Sequence, residues 1–150
     1  MATTITAQTL LVTISTQITL NGQPINSENQ LSIANINEFD KRIMSIPTAS
    51  EVTVVAFGTE VAAGTFIRGD LKYLQITNKD TVNYARIRVK KNGADTYDEK
   101  LDPGQTKILG NTKLSVSATA ASFATFQDAD SVNMQAYGGA VDIEYVVAST

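Results

Sequence analysis

The sequence predicts an all-β chain: a single antiparallel β-sandwich over residues 1–150, with a jelly roll as one topology that would close it. Three observations point there. Apolar residues recur with period two in several stretches, Thr and β-branched residues fill those stretches, and turn residues return every ~8–12 positions.

The elements follow in order. Leu10, Val12, Ile14, Thr16, Ile18 and Leu20 alternate with Thr9, Leu11, Thr13, Ser15, Gln17 and Thr19, which reads as a strand, or a bent pair of strands, with one wet face. Asn21-Gly22 is a strong hairpin signal because both residues tolerate positive φ. Pro24 and the polar stretch Asn26 to Gln30 are expected to lengthen that loop before an extended segment from Leu31. In Asn37 to Pro47, Phe39, Ile43 and Ile46 fit a helix while Arg42, Met44 and Ile46 fit a strand. Flanking strands and the stop at Pro47 favour the strand. Glu51 to Phe57 is a clearer strand closed by Gly58-Thr59.

Leu71 to Thr77, a turn through Asn78-Lys79-Asp80, and Val82 to Lys91 make the next pair. Asn92-Gly93 closes a further hairpin, and Asp102-Pro103-Gly104 suits a type II turn. Lys107 to Leu109 and Lys113 to Ala118 are short strands, and Ala118 to Asp130 is a long loop with room for a helical turn. Gly138-Gly139 turns into a last strand in which Val141, Ile143, Tyr145 and Val147 alternate with Asp142, Glu144 and Val146. Terminal strands are natural edge strands, and Leu11 and Val146 on their polar faces hint at burial against a second layer or a partner.

Composition narrows function. At 150 residues, with 43% apolar, 18% charged and a net charge of −3, the balance is that of a globular domain with a mildly acidic surface. Nucleic-acid binders are typically strongly basic, so none is expected as a partner. Cys and His are both absent, which removes thiolate chemistry, the commonest general base and the commonest transition-metal ligands. No enzyme, cofactor or metal is expected. The first residues, MATTITAQTLLVTIST, lack a basic n-region, so no signal peptide is expected. No apolar run nears the ~20 residues of a membrane span, so no membrane partner is expected.

Three motifs carry residue types suited to a site, and none is assigned a catalytic, cofactor or metal role. Arg86, Arg88, Lys90 and Lys91 could grip phosphates, but acids follow within a dozen positions. A two-residue turn sets Lys90 against Asp95 and Arg86 against Glu99; a three-residue loop sets Lys91 against Asp95 and Arg88 against Asp98. Either register pairs opposite charges, so the strip reads as a solvated sheet face whose neutralisation costs about 1 kcal/mol or less. Arg68-Gly69-Asp70 spells an integrin-binding tripeptide but reads better as a turn placed by Gly69. Asp128 and Asp130 could start a calcium loop, yet Val132 takes the next liganding position and the Gly and closing Glu are missing.

The span Thr65 to Leu109 resembles small β-rich virion structural proteins of tailed bacteriophages, especially marine ones. The resemblance rests on a strand ending in "ITN" (Ile76 to Asn78), a strand entered through "NY" (Asn83-Tyr84) and a hairpin ending in "LDPGQ" (Leu101 to Gln105). "FGTEVAAGTF" (Phe57 to Phe66) and "VDIEYVVAS" (Val141 to Ser149) extend it to about two thirds of the chain. It implies a non-enzymatic, homo-oligomeric virion component, such as capsid decoration (cement) or a tail or fibre piece. Its partners would be copies of itself and other virion proteins such as the major capsid protein, in particles assembled in the host cytoplasm. The alternative is a β-sandwich module that binds glycan or a cell surface, which should present aromatics on an exposed platform.

Overall fold

The structure, a computed structural model, describes residues 6–60, 62, 64–91, 94–111, 114–116 and 126–150. Among these residues every regular element is a strand. The chain divides into two compact units, Met1–Asn37 and Glu38–Thr150.

The first unit is a long hairpin of β1 (Gln8–Leu20) and β2 (Gln23–Ile36). Asn21 (φ 50°) and Gly22 (φ 74°) both take the left-handed region, and Leu20 faces Gln23, which defines a two-residue I′ turn. The expected longer loop is therefore absent: Pro24 sits inside β2, opposite Thr19. In a hairpin with two-residue loop, that pair lies one step beyond the hydrogen-bonded pair, so the proline nitrogen points away from the ladder and no hydrogen bond is lost. One face collects Leu10, Val12, Ile14, Ile18 and Leu20 with the cross-strand partners Ile33, Leu31 and Ile25.

The second unit is a sandwich of two sheets. Its strands are β3 (Glu38–Ile46), β4 (Val52–Gly58), β5 (Thr65–Ile67), β6 (Leu71–Asn78), β7 (Tyr84–Lys91), β8 (Ala94–Leu101), β9 (Thr106–Asn111), β10 (Ser115–Val116), β11 (Gln127–Asp128), β12 (Ser131–Tyr137) and β13 (Val141–Ser149). One sheet runs β5-β4-β12-β7-β8 and the other β3-β13-β6-β9, while β10 and β11 form a short separate pair. Setting aside the three short strands β5, β10 and β11 and numbering the rest one to eight, the sheets read 2-7-4-5 and 1-8-3-6. That order is the jelly roll. All pairs are antiparallel except β4–β5, which is parallel.

Inward residues of both sheets fuse into one core that includes Ile46, Leu74, Ile76, Ile87, Val89, Val132, Met134, Ile143 and Tyr145. Burying each aliphatic side chain stabilises the fold by roughly 1.5–3 kcal/mol against the entropy of ordering the chain. The strand reading of residues 38–46 holds: Met44 and Ile46 turn toward the core, whereas Phe39 and Ile43 of the helical alternative are exposed. The strand expected from Val82 starts two residues later. The Asp80 carboxylate accepts the backbone N–H groups of Val82 and Asn83 at 2.6 Å each and holds them in a turn. Gly104 has φ 72° and Gln105 N–H bonds to Asp102 C=O at 3.0 Å, as a type II turn requires.

The last strand alternates as expected but is no edge strand. β13 lies between β3 and β6 and is paired on both sides. A jelly roll folds a long chain hairpin back on itself, which brings the final strand beside the first one and inside the sheet. The edges fall instead to β3 and β9 in that sheet and to β5 and β8 in the other. Of the long loop expected at Ala118 to Asp130, residues 118–125 lie outside the described residues, and Gln127–Asp128 forms β11.

Candidate functional site

Sequence drew attention to the basic residues of β7, and the structure splits them by face. Arg86, Arg88 and Lys90 point outward, while Lys91 is buried, with its ammonium 3.3 Å from Asp130. Near the turn, Lys90 faces Asp95 as a two-residue turn predicts; a bulge between Val89 and Lys90 then sets Arg88 opposite Asp98, the other anticipated pair. Arg86 faces Lys100, not Glu99. The turn residues Asn92 and Gly93 lie outside the described residues.

The residue that organises this face is Glu51, which sequence reading had treated only as the start of a strand. Its carboxylate lies 2.5 Å from Lys90 Nζ, 3.1 Å from Arg86 Nη2 and 3.2 Å from Arg88 Nη1, and accepts a hydrogen bond from Asn133 Nδ2 at 3.0 Å. Arg88 also grips Asp98 with a fork, Nε to Oδ1 at 2.7 Å and Nη2 to Oδ2 at 2.6 Å. Burial pushes the Glu51 carboxyl up, but Lys90, Asn133 and Arg88 outweigh it, and the net shift is downward. The Arg88 fork likewise holds Asp98 below the usual carboxylate range. Both groups are carboxylates at neutral pH, suited to holding cations and not to donating protons.

The other two motifs are also taken up by the framework. Asp130 sits 2.7 Å from Arg68 Nη2 and accepts from Lys91, and Asp128 accepts a hydrogen bond from Ser115 at 3.1 Å. Arg68 also donates to Phe57 C=O at 3.3 Å, while Gly69 (φ 92°) and the bond from Asp70 N–H to Ile67 C=O form the turn. The tripeptide thus ties a turn to β4.

A different site emerges at the far end of the same outer face. Tyr84 and Tyr137 are directly opposite in β7 and β12, with ring centroids 5.1 Å apart and planes at 19°. Lys100 Nζ stands 4.3 Å from the Tyr84 ring centroid and pairs with Asp102 at 2.6 Å. Asp102 raises the Lys100 ammonium above its ordinary value, so it stays charged. Beside the rings opens a groove of about 520 Å³ whose lining includes Thr48, Arg86, Gln135, Tyr137 and Gly138. Gln135 bridges its walls, donating to Thr48 C=O at 2.9 Å and accepting from Arg86 Nη2 at 3.1 Å.

Sequence reading noted Tyr84 only at the entry to a strand and did not single out Tyr137. A readable hint was the Gly138-Gly139 turn after Tyr137, which ends the strand where the ring projects. The pairing itself joins residues 53 apart and needs the strand order. Comparison of the chain with protein-family models, with curated proteins and with solved structures returned no match.

Proposed function

We propose that the protein is a non-enzymatic structural component of a tailed-phage virion, a capsid decoration or cement protein or a tail or fibre piece, working in many identical copies. Its partners on this reading are further copies of the chain and other virion proteins such as the major capsid protein. The observation that carries the reading is the state of the β1–β2 hairpin. A two-stranded hairpin is marginal in water by itself. This one leaves Ile14, Ile18, Leu20 and Ile25 of its apolar face 41–55% exposed, and Glu28 is the sole charge between Gln8 and Ile36. Apolar surface of this kind is what assembly covers. The jelly roll is compatible, being frequent in viral capsid domains, but it also occurs in lectins and does not choose between them.

Sedimentation of the purified protein, together with its binding to emptied capsids and tails, tests the proposal. Ile18 and Ile25 face each other across the hairpin. The double substitution Ile18→Asp, Ile25→Asp should abolish self-association or particle binding while leaving the melting curve of the sandwich in place. A wild-type protein that stays monomeric at high concentration and binds neither particle overturns the proposal. A second reading, a module that binds glycan or a cell surface, is favoured by one observation: the Tyr84–Tyr137 stack, with Tyr137 exposed, beside its groove.

A further inference from the structure

We propose that the groove beside Tyr137 binds an acidic saccharide, a sugar ring stacking on the open face of Tyr137 while its carboxylate meets Arg86. The proposal deepens the second reading above and does not depend on self-assembly.

The aromatic face comes first. β8 and β12 flank β7 on opposite sides, so Lys100 from β8 and Tyr137 from β12 approach Tyr84 from opposite directions. Tyr84 is therefore enclosed between an ammonium and a ring. Tyr137 ends the stack, and its side chain is 66% exposed, so the ring face turned away from Tyr84 is open to solvent. An aromatic face is apolar and carries the negative lobe of the ring quadrupole. The C–H-bearing face of a pyranose is its natural partner.

The backbone that carries the ring is also closely packed. It ends β12 just before Gly138, whose φ of 88° suits glycine. A Cβ at Gly138 would stand 2.7 Å from Asn83 Oδ1, and one at Gly139 would stand 2.8 Å from Asn83 Nδ2. Asn83 is fixed in turn: its N–H bonds to Asp80 and its C=O accepts from the buried Asn78 side chain at 3.0 Å. The backbone beneath the platform is thus set before any ligand arrives, which lowers the entropic cost of binding.

The polar groups choose the ligand. Arg86 uses Nη2 for both Glu51 and Gln135, which leaves the Nη1 donors to a ligand. Glu51 shares its one negative charge among Arg86, Arg88 and Lys90, and among the described residues no acid lines the groove. One cation beside one open ring matches a singly charged sugar acid, with Thr48 and Gln135 within the same groove for ring hydroxyls. A nucleic-acid strand would need a row of unpaired cations along its phosphates, and Arg88 and Lys90 are engaged with Glu51 and Asp98. The groove, about 520 Å³, has the volume of a small-ligand site and takes one or two sugar rings.

The test uses the full chain and three probes: galacturonate, its methyl ester, and single-stranded oligo-dT. Tyrosine-ring NMR and calorimetry follow binding, and melting curves check that each variant is folded. Galacturonate should shift the Tyr137 ring signals and saturate, and the methyl ester should bind about tenfold more weakly, the worth of one charge-assisted hydrogen bond. Tyr137→Ala should weaken both sugars about tenfold, as loss of an aromatic contact does. Arg86→Gln should erase the preference for acid over ester. The ester comparison needs no variant, so the proposal stays testable if Arg86→Gln does not fold. The proposal fails if the rings do not respond to galacturonate at millimolar concentration, if acid and ester bind alike, if Tyr137→Ala binds as the wild type does, or if oligo-dT is the tighter ligand.

Discussion

Replacing Glu51 with Gln tests whether the outer face of β7 is organised as described. The side chain is 17% exposed and touches three cations, themselves 19–36% exposed. Partly exposed ion pairs contribute about 0.5 kcal/mol each, so losing three removes about 1.5 kcal/mol. The cations then face one another at alternate positions of one strand, roughly 7 Å apart by strand geometry. At that distance like charges repel by about 0.6 kcal/mol in water, and physiological salt more than halves this. Two neighbouring pairs therefore add about 0.5 kcal/mol. The total is about 2 kcal/mol, or roughly 6 °C in Tm for a chain of this size. Urea denaturation at neutral pH in low and high salt measures it, and the gap between wild type and variant should shrink as salt rises.

The pH dependence has a definite sign. Glu51 titrates below its ordinary value in the folded protein. Its contribution is therefore complete above the unfolded pKa of about 4.3 and is lost as pH falls through the lower folded value. Wild type and Glu51→Gln should differ at pH 7 and converge on acidification, because Asp98 titrates in both. A gap below about 0.5 kcal/mol at neutral pH, or one that fails to narrow on acidification below the ordinary carboxylate range, refutes the network. The same geometry revises an expectation: changing Arg86, Arg88 and Lys90 together to Gln should cost about 2 kcal/mol, not 1, since it leaves the half-buried Glu51 and the exposed Asp98 without their cations.

Two further outcomes follow from the framework. Asn78 is fully buried, donates to Asn83 C=O and Leu101 C=O at 3.0 and 3.2 Å, and accepts from Asp80 N–H at 2.8 Å; Asn78→Ala should lose about 2–3 kcal/mol in urea unfolding, and a loss below about 1 would contradict these bonds. Because Asp130 is engaged by Arg68 and Lys91 and Asp128 by Ser115, thermal melts with EDTA and with excess calcium should coincide, whereas a calcium-dependent rise in Tm would show native-state metal binding.

What was legible beforehand was local. The period-two row Val141, Ile143, Tyr145 and Val147 identified a strand and its buried face, because pleating alone sends alternate residues to one side. Gly22 and Gly104 marked turns, because each needs positive φ. Even the competing registers of the β7–β8 hairpin were in view; the bulge that lets each hold on its own side was not.

Partnership was decided by the tertiary structure. Nothing in the alternation of β13 says that β3 and β6 flank it, since strand neighbours are fixed by packing two sheets over one core. For the same reason Glu51 gave no signal: the cations it serves lie 35–39 residues away and the amide it accepts lies 82 away. Tyr84 and Tyr137 are likewise ordinary strand residues until β12 is laid beside β7. The sequence determines how each segment extends, turns and chooses its inner face, because those preferences act over a few bonds. Which outer faces meet, and so where charge and aromatic surface gather, depends on contacts between distant segments that exist only once the jelly roll closes.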